Sequence, residues 1–358
     1  EILEQLFQNK TQQIVILRPM NEDEESMEQN IDFVVTWVNN NDSNWRKVKD
    51  YYAEQCGMNA DMNSDARYRD WELMKYWFRS VEIHAPWVNK VYFITEGHIP
   101  EWLDLDCDKL VHVKHSDYID PKYLPTFNSN VIELNMHNIE SLSEKFVSFN
   151  DDMFLNADVD PSDFFINDQP RDSGIFSPVI PVPSGIAPIV LNNLLIINKY
   201  FESRVVLKKY FKKYFKLFYR KHLLKNICIL PWKPILGFYD QHIPISFKKS
   251  IFKKVAVTES DTFLKTYNHR FRKEDEINHW LVRYWQLCTG QFTPRPTNFG
   301  AYYNLADDNR EILKDIKNRS HKVICINDGA LIADFKKTKE ELIKVFEEKY
   351  PNKSMFEK

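Results

Sequence analysis

In the stretch "KFVSFNDDMFL" (residues 145–155), an apolar run stops on two adjacent carboxylates, Asp151 and Asp152, and then turns apolar again. Like charges side by side at the end of a buried strand repel unless protons or a cation compensate them. A divalent ion bridging a diphosphate is one such compensation, because Mg²⁺ takes one or two carboxylates plus phosphate oxygens and water. A turn in which Asp caps the next segment is the plainer alternative. A second strand-end pair, Asn327 and Asp328 in "CINDG", repeats the pattern and is also ordinary turn chemistry.

Other side chains carry the same two readings. His242 in "GFYDQHIPISF" is a candidate general base, since imidazole titrates near neutrality, or a hydrogen-bonded core histidine. Arg270 and Arg272 in "NHRFRKED" could grip phosphate bidentately or pair with Glu274 and Glu276. Arg67, Arg69 and Arg79 are open in the same way. Asp32, at the head of an apolar run, could cap a loop or hold a ligand.

The elements that must position these residues alternate between strand and helix. "IDFVVTWV" (31–38), "KVYFIT" (90–95), "LVHVKH" (110–115), "KFVSF" (145–149) and "KVICIN" (322–327) read as strands. A helix is expected from Asp70 to just before Pro86. Another is expected in "NVIELNMHNI", with Asn130 and Glu133 at capping-box spacing. A third is expected over 273–290, its acids in the first turn. "TKEELIKVFEEKY" reads as a closing amphipathic helix. The alternation indicates an α/β sheet, largely parallel, whose ligands sit at the carboxyl ends of strands, where Asp151 and Asp152 lie.

Composition narrows the class. The chain has 358 residues, 43% hydrophobic and 28% charged, and a net charge of −3, so no global basic field suggests nucleic acid. Only 8 glycines occur, with no glycine-built phosphate cradle. Five scattered cysteines without a CxxC pair favour a reducing compartment. The sequence opens on Glu1 rather than Met, so a trimmed start is expected, and no signal peptide is visible. Residues 173–198 carry no charge but include four prolines, which argues against a spanning helix and for an extended loop leading into a short helix. Residues 199–225 alternate basic and aromatic residues at helical spacing, as a solvated face or as a contact with anionic lipid or polymer.

Taken in order, "IDFVVTWVNNND", "RYRDWELMKYWFRSVEIHAPWVNKVYFITEGHIPEWL", "LPTFNSNVIELNMHNIESLSEKFVSFNDDMFL", "HRFRKEDEINHWLVRYWQLCTGQF" and "VICINDG" resemble the blocks of the Stealth family, over residues 31 to 330. That family includes bacterial capsular-polysaccharide phosphotransferases and the animal GlcNAc-1-phosphotransferase. The resemblance implies transfer of a sugar-1-phosphate from a nucleotide-diphosphate sugar to a glycan hydroxyl, with Mg²⁺ or Mn²⁺ as cofactor. It implies catalytic roles for His242, Arg272 and Asp152. It implies nucleotide-sugar contacts from Asp32, Thr36, Trp37, Arg67, Arg79, Asn128 and Glu133, and metal contacts from Asp151, Asp152, Asn327 and Asp328. This chain departs from many members at Asn39 and Asn40, where they carry Asp-Gly, and at Glu276, where bacterial members have Asp. The large insertions of the animal enzyme are absent.

The expected fold is α/β, a GT-A-like or Rossmann-like mostly parallel sheet with an added helical subdomain. It is expected to comprise a polar lead-in (1–30), a catalytic region (31–335) with a basic helical insertion near 190–230, and a C-terminal helix (336–358). The expected partners are a nucleotide-sugar donor and a glycan acceptor, with no nucleic acid. The expected location is cytoplasmic, with peripheral contact at the inner membrane face left open. Two rivals are a glycosyltransferase attacking the anomeric carbon and a non-catalytic glycan-binding module.

Overall fold

Strand β1 (Ile31–Thr36) has large apolar side chains on both of its faces. Phe33 and Val35 enter one core cluster and Val34 the other. The same division holds in β2 (Val91–Thr95), where Phe93 points one way and Tyr92 and Ile94 the other. A strand that is apolar on both faces needs cover on both, which is the condition for a parallel sheet. The computed structural model, which describes residues 30–57, 69–182, 185–328 and 332–358, has this arrangement. The lead-in through residue 29 and Arg67 lie outside the described residues.

With β3 (Leu110–Lys114), β4 (Lys145–Phe149) and β8 (Ile245–Lys248), the main sheet runs in the order β3-β2-β1-β4-β8. Its first four strands are parallel and β8 is antiparallel at the edge. The chain leaves β1 toward β2 and β3, then returns to place β4 on β1's other side. The reversal opens a crevice at the carboxyl ends of β1 and β4.

One layer over the sheet contains the helices Met74–His84 and Phe335–Lys349. The other contains Ala187–Tyr200, Lys249–Thr258 and Trp280–Cys288. Two small sheets complete the fold. One joins β5 (Met153–Leu155), β10 (Gly300–Asn304) and β11 (Val323–Asn327). The other joins β6 (Phe165–Ile166), β7 (Gln169–Asp172) and β9 (Thr293–Pro294).

Four elements differ from the sequence reading, each for a visible reason. The helix expected from Asp70 starts at Met74, because the Asp70 carboxylate accepts the Glu72 N–H at 2.8 Å and Glu72 has φ 56°. The helix expected from 273 is only Trp280–Cys288. The buried Glu276 carboxylate accepts the Asn128 and Asn130 amides and the Lys273 N–H, holding that stretch as a turn. The helix Ser129–Leu134 is capped by Asn128 rather than Asn130, and Glu133 turns inward to His279. The basic stretch after 199 is a series of short helices, among them Ser203–Lys209, Phe211–Tyr214 and Leu223–Cys228. Its backbone is tied inward by Asn226, whose amide donates to the carbonyls of Gly174 and Tyr214 at 2.8 Å each.

Candidate active site

A cavity of about 1030 Å³ opens at the crevice where the strand order reverses. β1 contributes Thr36 and Trp37, the latter stacked on Phe93 with ring centroids 5.6 Å apart. β4 contributes Asn150, Asp151 and Asp152 in a tight turn closed by the Met153 N–H on the Asn150 carbonyl (3.1 Å). That turn sends β5 away from the main sheet and onto β11, with Met153 opposite Cys325. The Ile326 N–H then donates to the Asp152 carbonyl at 2.8 Å. One ladder thereby brings Asn327 and Asp328 to the same cavity as the Asp pair, 175 residues away in sequence for the Asn327–Asp152 couple.

Asp152 is the hub. Its Oδ2 lies 3.5 Å from His242 Nε2 and accepts the Cys325 thiol at 3.3 Å. These three side chains present ligand atoms within 4.8 Å of one another. Asp152 Oδ1 is buried without a partner, and so is Asp328 Oδ1. The other Asp328 oxygen faces Arg69 (3.0 Å) and accepts the Trp71 indole N–H (3.3 Å). These two orphaned carboxylate oxygens, both on residues lining the cavity, are the kind of acceptor a hard cation satisfies, since burying them unpaired is costly.

Protonation states follow from this crowding. Enclosure in the deep cavity and then the Asp152 charge, with Asp70 and Glu133 beyond it, push the Asp151 carboxyl up to about 7. Asp151 is exposed in the cavity, and the like charges around it disfavour its ionised form. Burial alone would lower the pKa of His242, but the Asp152 carboxylate beside it and Glu133 behind it outweigh burial and raise it above the ordinary value. Trp280 and Tyr302 flank the imidazole, with ring centroids 6.4 and 5.9 Å away.

The opposite wall carries Arg272, whose guanidinium donates to the Ser129 hydroxyl, beside Thr126, Phe127 and Phe271. Phe127 and Phe271 stack at 5.1 Å, and the Phe127 N–H donates to the Arg270 carbonyl at 2.8 Å. The structure thus brings together Thr36, Trp37, Asp151, Asp152, His242, Arg272, Asn327 and Asp328.

Four expected residues do not face the cavity. Asp32 sits at the amino end of β1, about 13 Å along the strand from Thr36 at the usual rise. It is fully buried, accepting the Asn89 amide (2.7 Å) and the N–H groups of Lys90 (3.2 Å) and Ser143 (2.8 Å), so it clasps loops away from the cavity. Arg79 is buried against Glu357 and the Tyr350 carbonyl, away from the cavity lining. Asn128 and Glu133 stand behind the wall. Asn128 holds Glu276 (2.8 Å), and Glu133 pairs with His279 (2.6 Å) while accepting a long contact from the Asn150 amide (3.4 Å).

Cys325, Asp70, Trp280 and Tyr302 line or touch the site without having been singled out from sequence. Cys325 alternates with isoleucines in "VICIND" and looks like a small core residue there. Only the β5–β11 pairing reveals its contact.

Residues 67–172 match the model for Stealth protein CR2, conserved region 2. The chain is 55% identical over 333 residues to the capsular polysaccharide phosphotransferase WcwK of Streptococcus pneumoniae, covering 93% of this chain and 99% of that one. It is 41% identical to the exopolysaccharide phosphotransferase cps2G of Lactiplantibacillus plantarum, covering 92% and 96%. It is 38% identical to the receptor polysaccharide phosphotransferase WefC of Streptococcus oralis, covering 91% and 99%. Among solved structures, the galactosyltransferase LgtC in complex with donor and acceptor sugar analogues has TM-score 0.38 and 9% identity, covering 88% of this chain and 95% of that one. With its relatives matched nearly end to end, this chain belongs to the Stealth family and is a transferase of the phosphotransferase class.

Proposed function

We propose that this chain moves a hexose-1-phosphate or N-acetylhexosamine-1-phosphate from a nucleotide-diphosphate sugar, of which a UDP-sugar is the first choice, to a hydroxyl of a surface polysaccharide. The observation that supports this most is His242 Nε2 lying 3.5 Å from Asp152, in one cavity with Arg272 and Asp328. The cavity is large enough for a nucleotide sugar together with part of an acceptor. The relatives' names, capsular and exopolysaccharide phosphotransferase, favour a polysaccharide acceptor.

In this reading His242 takes the proton of the acceptor hydroxyl. The hydroxyl oxygen forms a bond to the phosphorus bearing the sugar, and the bond from that phosphorus to the bridging oxygen breaks. The nucleoside monophosphate leaves with the bonding electrons, and the sugar keeps its glycosidic oxygen. Arg272 offsets charge on the phosphoryl oxygens. Asp152, whose carboxylate lies in one cluster with His242 and Cys325, would anchor Mg²⁺ or Mn²⁺, with Asp151, Asn327 and Asp328 lining the same cavity as further candidate ligands; when bound, the ion supplies charge neutralisation of the diphosphate. Trp37 and the Phe127–Phe271 pair offer flat apolar faces for a base or a sugar ring. Use of a nucleotide sugar suits a cytoplasmic site of action.

The test is incubation with a panel of nucleotide sugars, a divalent cation and an oligosaccharide acceptor, identifying the released nucleotide. A nucleoside monophosphate and a phosphodiester signal in the ³¹P spectrum are expected. Release of the diphosphate with no phosphorus in the product would overturn the assignment in favour of glycosyl transfer.

A further inference from the structure

Exposed apolar side chains are concentrated in one part of this protein. Of the twenty-one exposed large apolar residues among those described, thirteen fall between Ile180 and Trp232, about a seventh of the sequence. Scattered surface leucines need no explanation, but a dense group does. Leu217 is 89% exposed, Leu224 63% and Trp232 50%. Phe211 stacks on Phe215, with ring centroids 4.5 Å apart, yet keeps 57% of its surface exposed.

This is not an unravelled segment, because polar groups fix its backbone from the inside. Asn226 is fully buried and accepts the Phe176 N–H at 2.7 Å as well as making its two donations. The Ser203 hydroxyl donates to the Trp232 carbonyl at 2.6 Å, and the Arg204 guanidinium donates to the carbonyls of Leu230 (2.8 Å) and Pro231 (2.7 Å). The buried tyrosines Tyr214 and Tyr219 donate to the carbonyls of Leu287 (2.9 Å) and Lys213 (3.2 Å). Buried Val206, Leu207 and Ile229 and these inward polar groups hold the segment to the body, while a second set of apolar side chains remains on its outer surface.

The charge is as unbalanced as the hydrophobicity. From Lys199 to Lys233 there are eleven Lys or Arg residues and one acid, Glu202, in a chain whose overall net charge is −3. Lys208, Lys212 and Lys221 are exposed among the apolar side chains. Leucines and aromatics interleaved with lysines on short helices are the chemistry of a surface that settles into the headgroup region of an anionic bilayer. A soluble polyanion would need the lysines and have no use for the leucines.

The position relative to the cavity gives this surface a purpose. Ile186 is exposed and also lines the cavity, and the exposed Ile180 and Val182 lie just before it in the chain. The Val179 N–H donates to the Leu236 carbonyl at 3.0 Å, which ties this strip to the segment that continues into His242.

We infer that the 180–232 region is a docking surface for an anionic phospholipid bilayer, which places the cavity mouth at the membrane, in reach of an acceptor held there. This goes beyond the transfer reaction and does not depend on it, since binding can be measured without donor or acceptor.

The experiment is flotation of the full chain with phosphatidylcholine vesicles, with and without phosphatidylglycerol, at low and high salt. Binding that needs the anionic lipid and weakens in salt is expected. Lys208→Glu/Lys212→Glu/Lys221→Glu should lower the partition coefficient roughly a hundredfold or more, at about fivefold per lost cation. Leu217→Ser/Leu224→Ser, at sites too exposed to be needed for folding, should lower it about tenfold. Both variants should keep wild-type turnover with a soluble acceptor. Brominated lipid should quench Trp232, read as the fluorescence difference between wild type and Trp232→Phe. If the serine variant floats like wild type, or brominated lipid leaves Trp232 unquenched, the surface is not a membrane dock. If soluble dextran sulfate binds the serine variant and wild type equally while vesicles bind neither, the site belongs to an anionic polymer and the inference is overturned.

Discussion

The Arg79 guanidinium grips the Glu357 carboxylate through two nitrogens, each 2.7 Å from its oxygen, with both side chains nearly sealed from solvent. The pair fastens the last turn of the chain to the helix Met74–His84, which packs against β5. Removing Arg79 leaves the buried Glu357 carboxylate without its counter-ion, held only by the Ser354 N–H (2.9 Å) and hydroxyl (3.1 Å), a loss of up to about 3–5 kcal/mol. Arg79→Ala is therefore expected to lower the denaturant midpoint strongly and to leave the KM for donor unchanged in the fraction that stays folded. A variant of normal stability with a raised donor KM would return Arg79 to the site.

Glu133 tests the electrostatics of the proposed base. It lies behind the wall but contributes to the raised pKa of His242. A base must be unprotonated to act, so kcat/KM should rise with pH through a limb above the ordinary histidine value. Glu133→Gln removes one charge that holds the proton on His242, so the limb should move to lower pH. A profile that does not move would separate His242 from the limb.

Cation binding should be linked to protons. With the Asp151 carboxyl pushed up to about 7 by enclosure and by Asp152, the proposed cation would compete with a proton there near neutral pH. A cation favours the ionised form. Below pH 7 its binding should release a proton, and affinity should fall up to about tenfold per pH unit. Calorimetry in buffers of different ionisation enthalpy reads the release directly. Asp151→Asn should abolish it, and persistence of the release in that variant would assign the proton elsewhere.

Acid sensitivity has an identifiable contributor. His137 is buried, its Nδ1–H donates to the Leu134 carbonyl at 3.0 Å, and its ring stacks on Phe252 with centroids 5.1 Å apart. Burial first, with Lys253 and Lys249 adding to it, lowers its pKa to about 4. The folded value lies below the unfolded one, so the unfolded chain protonates first as pH falls. The corresponding stability is complete above about 6.5 and is lost between there and about 4, amounting to roughly 3 kcal/mol. His137→Gln should flatten this part of the stability–pH curve measured by urea unfolding. An unchanged slope would exclude the histidine.

The parallel sheet was legible because strands apolar on both faces leave a run such as "IDFVVTWV" that few other elements produce. Asp151 and Asp152 were legible because hydrophilic residues at the carboxyl end of such a strand have a predictable location. Asp32 and Arg79 were misplaced for a common reason: a charged residue next to an apolar run looks the same whether it faces a ligand or a buried partner far away in sequence. The partners here, Ser143 and Glu357, lie 111 and 278 residues distant. The short helix Trp280–Cys288 failed the periodicity reading similarly, since what stops it is Glu276 bound by Asn128 and Asn130 across the cavity wall. Local pattern reports elements, whereas pairing between distant segments decides which polar groups remain free for chemistry.

The β5–β11 ladder has a consequence for biosynthesis. The two acid-bearing turns acquire their relative geometry only when residues 323–328 dock beside a strand made much earlier. A ribosome-bound chain stopped before that point could already have built the main sheet while being unable to turn over substrate, so competence arrives abruptly, once residues 323–328 have emerged and docked.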